Sequence, residues 1–169
     1  MSTPITAAVP GLEISTRDDN IPKLGYGGQL WVHVNGDSTG GAFGMWEGLL
    51  PPGGGSPIHI HHKEVECIYV IEGTFLILCG DQEWEAGPGT WVSMPKDVRH
   101  GIRVVSDTPG RFLEFFLPAG LEQLFNKLPE KKPDTMPDMA KILEVARAYG
   151  LEFLGPMPKQ LGDATKVGG

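Results

Sequence analysis

Two cysteines, no long apolar run and no excess of basic charge set the first limits on this chain of 169 residues. Cys67 and Cys79 cannot make a disulfide framework, so the fold must be held by its core. Both read as small buried apolar residues, and a reducing, cytoplasmic setting is expected. No apolar stretch is long enough to span a bilayer, so no membrane association is expected. The opening MSTPITAAVPGLEIST has no basic start followed by an apolar segment, so no signal peptide is expected. A net charge of -7 would repel phosphates and leaves no electrostatic reason to bind nucleic acid. Turn chemistry, by contrast, is plentiful, with 24 glycines and 15 prolines.

Those turn residues cut the middle of the chain into short segments. Gln29 to Val34, Phe43 to Leu50, Ile58 to His61, Val65 to Ile71, Thr74 to Cys79 and Gln82 to Ala86 read as strands. Thr90 to Met94, Gly101 to Val105 and Arg111 to Leu117 complete the series. Short strands at regular spacing imply an all-β sandwich or barrel. Before them, Pro4, Pro10 and Pro22 break any helix, so residues 1–25 read as an extended arm and 26–118 as the β domain. After Leu117 the period changes. Leu121, Leu124, Phe125 and Leu128 fall at helical spacing, and Pro129 to Pro137 reads as a linker. Asp138 to Tyr149 reads as a helix with Met139, Ile142, Leu143 and Ala146 on one face and Gly150 as its stop. Residues 119–156 should pack on the barrel, Leu151 to Pro156 docking as a short apolar segment, with 157–169 a mobile tail.

The chemistry is concentrated in GGGSPIHIHHKEVECIYVIEG, Gly53 to Gly73. His59 and His61 are two apart, which in a strand places both on one face. Glu66 follows at an odd offset, so the chain must turn near His62-Lys63-Glu64 and return Glu66 on the next strand, facing the imidazoles. His100 opens a later apolar strand and is placed to supply a third imidazole from across the barrel. His33 reads as an ordinary strand residue and His62 as a solvated turn residue. Two or three imidazoles with one carboxylate in an apolar pocket are the donors of a transition-metal site.

These residues resemble the cupins. The first cupin motif is Gly, five residues, His-x-His, three or four residues, Glu, six residues, Gly, and Gly53, His59, His61, Glu66 and Gly73 match it. The second is Gly, five residues, Pro-x-Gly, two residues, His, three residues, Asn. Gly89, Pro95 and His100 match, whereas Asp97 replaces the glycine and Val104 the asparagine. The resemblance spans roughly Trp31 to Leu117, and the helical tail is similar to that of small bacterial cupins grouped with quercetin dioxygenase. It implies a double-stranded β-helix, the cupin jelly-roll barrel, with a short C-terminal helical extension. It also implies His59, His61, Glu66 and His100 as ligands of one divalent ion: iron, nickel, manganese, cobalt, copper or zinc. Glu64, the competing carboxylate, falls outside the family spacing.

With Glu66 and His100 inward, strand parity turns Ile68, Val70, Ile102 and Val104 inward as well. Parity leaves open whether Met45 or Trp46 joins them. Such a lining suits a small planar substrate with oxygen donors. The resemblance implies a metal-dependent dioxygenase acting on a phenolic or enolic molecule, with Glu66 as ligand or general base and dioxygen as cosubstrate. A metal-dependent isomerase, lyase or decarboxylase and a non-catalytic small-molecule-binding cupin are the alternatives. Apolar residues on both sides of Arg111 to Leu117, with Val9, Leu12, Ile14, Ile21 and Leu24 in the arm, lead us to expect a homodimer.

Overall fold

Alternating apolar residues and tight turns produce two antiparallel sheets packed face to face. The computed structural model describes residues 12–128, 138–160 and 162; the linker Pro129 to Pro137 and most of the expected tail lie outside them. The six-stranded sheet has the order β1-β2-β3-β10-β5-β8. Its strands are β1 (Lys23–Gly25), β2 (Gly28–Val34), β3 (Gly44–Leu50), β10 (Gly110–Leu117), β5 (Val65–Glu72) and β8 (Trp91–Met94). The five-stranded sheet runs β11-β4-β9-β6-β7. It consists of β11 (Leu151–Gly155), β4 (Ile58–His61), β9 (His100–Val104), β6 (Phe75–Cys79) and β7 (Gln82–Ala86).

Inward residues of both sheets form the main core. Trp46, Phe75, Phe112 and Phe116 are fully buried there with Leu30, Leu50, Ile68 and Ile77. Burial of each such side chain contributes about 1.5–3 kcal/mol, enough in sum to hold the barrel without a cross-link. Gly48 makes one close approach possible, since a Cβ at that position would stand 2.3 Å from the Phe112 ring.

Two ends differ from expectation. The last residues of the arm are β1, because Tyr26-Gly27 is a two-residue turn that pairs Gly25 with Gly28. The apolar Leu151 segment is β11, pairing with β4 at the open edge of the five-stranded sheet. An edge strand with unmet hydrogen bonds recruits such a segment. Met157 and Pro158 beyond it are buried, Met157 against Ile58, Leu76 and Leu78.

The expected helix at Leu121 is a 3-10 turn, Leu121–Gln123, running into one α-helical turn, α1 (Leu124–Lys127). α2 (Met139–Tyr149) starts where the Asp138 side chain accepts from the Lys141 backbone N–H, and stops at Gly150 with φ 82°. Its buried residues are Val145 and Ala146, flanked by half-buried Ile142 and Tyr149, while Met139 faces solvent. Of the expected stripe, Ile142, Leu143 and Ala146 are thus half-buried or buried, Val145 joins them, and Met139 in the first turn lies outside it. Among the described residues, no helix is long and apolar enough to cross a membrane.

Candidate metal centre

His59, His61, Glu66 and His100 meet in the interior, each 2 % exposed or less. β4 supplies the first two on one face, and register pairs His59 with His100 of β9. Glu66 comes from β5 in the opposite sheet, flanked across the strands by Phe116 of β10 and Met94 of β8. β11 holds β4 from its other side, with Leu151 opposite His61 and Phe153 opposite His59.

The imidazoles are oriented by what lies behind them. His59 Nδ1 donates to the Pro57 carbonyl at 2.8 Å and His100 Nδ1 to the Val98 carbonyl at 2.7 Å. Each Nε2 lone pair is thereby aimed inward. Glu66 Oε2 stands 2.8 Å from His61 Nε2, 3.2 Å from His100 Nε2 and 3.4 Å from His59 Nε2. Glu64 is buried too, but its Oε2 sits behind His61, 3.6 Å from Nδ1.

This group fits a divalent first-row metal. Its ligand atoms all lie within 4.8 Å of one another. Donors about 2.1 Å from one ion and at right angles would be about 3 Å apart, the range seen between Glu66 and the imidazoles. Three nitrogens and one oxygen are the donor chemistry of such a site, and neither cysteine takes part.

Electrostatics within the group are polarised. Burial lowers the His59 pKa. Burial also opposes charge on His61, but the Glu64 and Glu66 carboxylates outweigh it and push the pKa up to about 9. Burial disfavours ionised Glu66 as well, yet His100 and its other imidazole partners hold its pKa well below the usual carboxylate range.

Two residues not singled out in the sequence extend this polar interior. Glu114 of β10 is buried and accepts from Trp46 Nε1. Burial and the neighbouring Glu66 charge raise its pKa well above the usual value. An acid alternating with Phe112 and Phe116 was the available signal, on a strand whose two faces alternation did not distinguish. Tyr26 is the second. Burial, first, and then the nearby Glu114 and Glu66 carboxyl groups push its phenol pKa well above the usual value.

Among the expected pocket residues, Ile68, Val70, Ile102 and Val104 are all buried in the core cluster. Alternation along β3 sends Trp46 inward; Met45 is half-buried on the opposite side and does not join the interior. The two motif departures also find reasons. Asp97 has φ 62°, the left-handed conformation a glycine would supply, and its carboxylate bonds His62 Nδ1 at 2.8 Å. Val104 donates its backbone N–H to Gly54 and fills the core. His62 is exposed and also reaches Glu152. His33 lies outside the barrel interior, between Ser15 and Glu47.

The family model for the cupin domain matches residues 46–116. Solved structures share the fold at low identity. A RmlC-like cupin from Shewanella frigidimarina is 20% identical with TM-score 0.55, covering 64% of this chain and 92% of its own. A protein from Thermotoga maritima described as a predicted oxalate decarboxylase is 18% identical with TM-score 0.57, covering 62% and 98%. The polyketide cyclase RemF from Streptomyces resistomycificus is 23% identical with TM-score 0.55, covering 63% and 79%. No curated protein matches the chain.

Proposed function

From the premise that this chain belongs to the cupin superfamily, we propose that it is a metal-dependent enzyme and that its reaction is oxygenative cleavage of a phenolic or enolic small molecule. The observation that carries this reading is the buried convergence of His59, His61, Glu66 and His100 inside the barrel core. A divalent cation held by these four side chains would act as a Lewis acid, lowering the pKa of an enol or phenol oxygen brought to it. Glu66, ionised and inside the group, is the base that accepts the proton such a substrate gives up. Ile68, Val70, Ile102 and Val104 exclude water and favour a planar apolar body. The protein's setting in this reading is the cytoplasm.

A second reading, proton-transfer chemistry without dioxygen, is favoured by Glu114. Two neighbouring carboxyls whose pKa values are pushed apart, Glu114 up and Glu66 down, are the pairing of an acid and a base, the equipment of an isomerase, lyase or decarboxylase. Of the structurally similar proteins, one is described as a predicted oxalate decarboxylase and another as a polyketide cyclase. Elemental analysis of protein purified without added metal, followed by an oxygen electrode with a panel of phenols and enols, tests both. Oxygen uptake stoichiometric with substrate loss supports the first reading; substrate loss without uptake supports the second; a metal-free protein inert to every added metal sinks both.

The working unit in this proposal is a homodimer formed through the outer face of the six-stranded sheet. Tyr69, Trp91 and Leu117 are exposed there, and Leu12, Ile14, Ile21 and Leu24 of the arm are exposed as well. A large apolar surface of this kind supports association. Light scattering at micromolar concentration checks it: a stable ~18 kDa species would rule out the dimer.

A further inference from the structure

Three imidazoles enter the metal-binding group, and the main chain backs two of them. His59 Nδ1 reaches the Pro57 carbonyl at 2.8 Å and His100 Nδ1 the Val98 carbonyl at 2.7 Å. His61 Nδ1 is buried and has no hydrogen-bond partner among the described residues. What faces it is Glu64 Oε2, 3.6 Å away, which is likewise buried without a partner among them. One of these atoms can donate and the other accept, so each is the missing partner of the other. The burial of Glu64 is itself unusual. It lies in the turn between β4 and β5, where His62 and Lys63 are exposed, yet Glu64 is only 4 % exposed. A carboxylate on a turn is ordinarily left in water.

The turn that carries Glu64 is tied to its surroundings at three points. Asp97 donates its backbone N–H to the His61 carbonyl at 2.8 Å, and His62 donates its own to the Gly150 carbonyl at 2.9 Å. Lys63 Nζ donates to the Ala148 carbonyl at 2.9 Å. Glu64 and Glu66 therefore leave one braced segment and take opposite sides of a single ring. Glu66 Oε2 stands 2.8 Å from His61 Nε2, and Glu64 Oε2 faces Nδ1. A neutral imidazole keeps a proton on one nitrogen and a lone pair on the other, and the hydrogen bond at the first decides which is which.

We infer that Glu64 is a positioning residue of the metal centre: its carboxylate holds the proton of His61 on Nδ1 and so presents the Nε2 lone pair to the ion. This rests on the metal-dependent reading above. At 3.6 Å the two atoms are beyond hydrogen-bond length, and the loaded site is where the bond is made. A carboxylate behind an imidazole raises the basicity of its far nitrogen. His61 is thereby the strongest nitrogen donor of the three, since His59 and His100 have neutral carbonyls behind them.

The test uses the full chain loaded with zinc(II), its histidines labelled at nitrogen, and long-range proton–nitrogen correlation spectra. The Nδ1–H proton of His61 should lie downfield of those of His59 and His100, because its acceptor is charged. Glu64→Gln should move the His61 proton upfield and leave the other two in place. An unmoved His61 proton, or a His61 proton found on Nε2 in the unchanged chain, would overturn the proposal. Affinity is read by cobalt(II) competition against a chelator. Glu64→Gln, whose amide oxygen imitates the carbonyls behind His59 and His100, should bind cobalt about tenfold more weakly, and Glu64→Ala about a hundredfold. Affinities equal to that of the unchanged chain would overturn the role. Lys63→Ala loosens the same turn without touching His61 and should stay within about twofold of the unchanged chain. A loss there as large as in Glu64→Gln would trace the effect to the turn and overturn the role as well. The visible cobalt spectrum of Glu64→Gln should keep its coordination number; loss of an oxygen ligand would make Glu64 a ligand rather than a positioning residue. Should the alanine variant fail to fold, the glutamine variant, close in volume, decides the matter by spectrum and affinity together. If the unchanged chain takes up neither zinc nor cobalt, the metal reading fails and this inference with it. If it takes up both and the Glu64 variants match it, only the role of Glu64 fails.

Discussion

Glu47 and Glu66 are both buried carboxylates with a histidine partner, yet they are finished differently. Glu47, on the outer face of β3, accepts from Arg17 Nη2 and from Arg111 Nε at 2.5 Å, with His33 Nε2 at 3.2 Å. Two guanidiniums lower its pKa, and they cannot lose their protons in any working range. Arg17 also lies over the Trp31 ring at 4.6 Å, which ties the arm to the sheet. Glu66 is surrounded by three imidazoles, each able to surrender a proton and expose a lone pair. The first site meets its carboxylate with fixed positive charge. The second holds its charges in an exchangeable form, and that separates a clasp from a binding site.

The largest expected break in this comparison comes from removing an imidazole. His59→Ala, His61→Ala or His100→Ala should each weaken metal binding by more than about a hundredfold while leaving a folded barrel, because the aromatic core does not depend on the site. Metal titration and circular dichroism check the two halves of that statement. Full occupancy in any of these variants would show the residue not to be a ligand.

Glu66→Gln should cost about a hundredfold in kcat, the scale for removing a general base, with a smaller loss of metal affinity because three imidazoles remain. Unchanged turnover would move attention to Glu64. The matched change on the outer face, Glu47→Gln, should lower stability by about 1–3 kcal/mol, since it strands charge-assisted donors from two arginines. Denaturant unfolding measures that loss, and metal content should not change. Metal loss in Glu47→Gln would join two regions held here to be independent.

The smallest effect is a pH dependence. His61 has a folded pKa raised to about 9 from an ordinary 6.5, so the stabilisation it gives the metal-free protein is complete below about 6.5 and lost as pH rises through about 9. Glu66, with a lowered pKa, contributes above the usual carboxylate range and loses that contribution only in acid. Metal must displace the His61 proton, so metal affinity should rise over the interval in which the Tm of the metal-free protein falls. A Tm independent of pH between 6.5 and 9 would remove His61 from this account.

Much of the site was legible because it is local. His59 and His61 share a strand, the odd offset to Glu66 demands a turn, and His100 begins an apolar strand with the same inward parity. Glu114 was harder. β10 is apolar on both faces, so alternation did not say which of Phe112-Glu114-Phe116 and Leu113-Phe115-Leu117 looked inward. Register with β3 and β5 decided it, placing Glu114 opposite Trp46 and Ile68. The choice between Met45 and Trp46 was decided by the same contact.

What the sequence determined alone is whatever depends on spacing along one or two strands: the all-β class, the histidine pair, the return of a carboxylate and the helix closed by Asp138 and Gly150. What only the tertiary structure decided are meetings between residues far apart in the chain. β11 docks on β4, Glu114 lies beside Glu66, and Tyr26 reaches the carboxylates from a turn that composition marks only as glycine-rich. The reason is physical. Periodicity records which face of a strand is apolar, whereas the partner that face meets is set by packing and register, and long-range pairing leaves no local mark in the residues that join it.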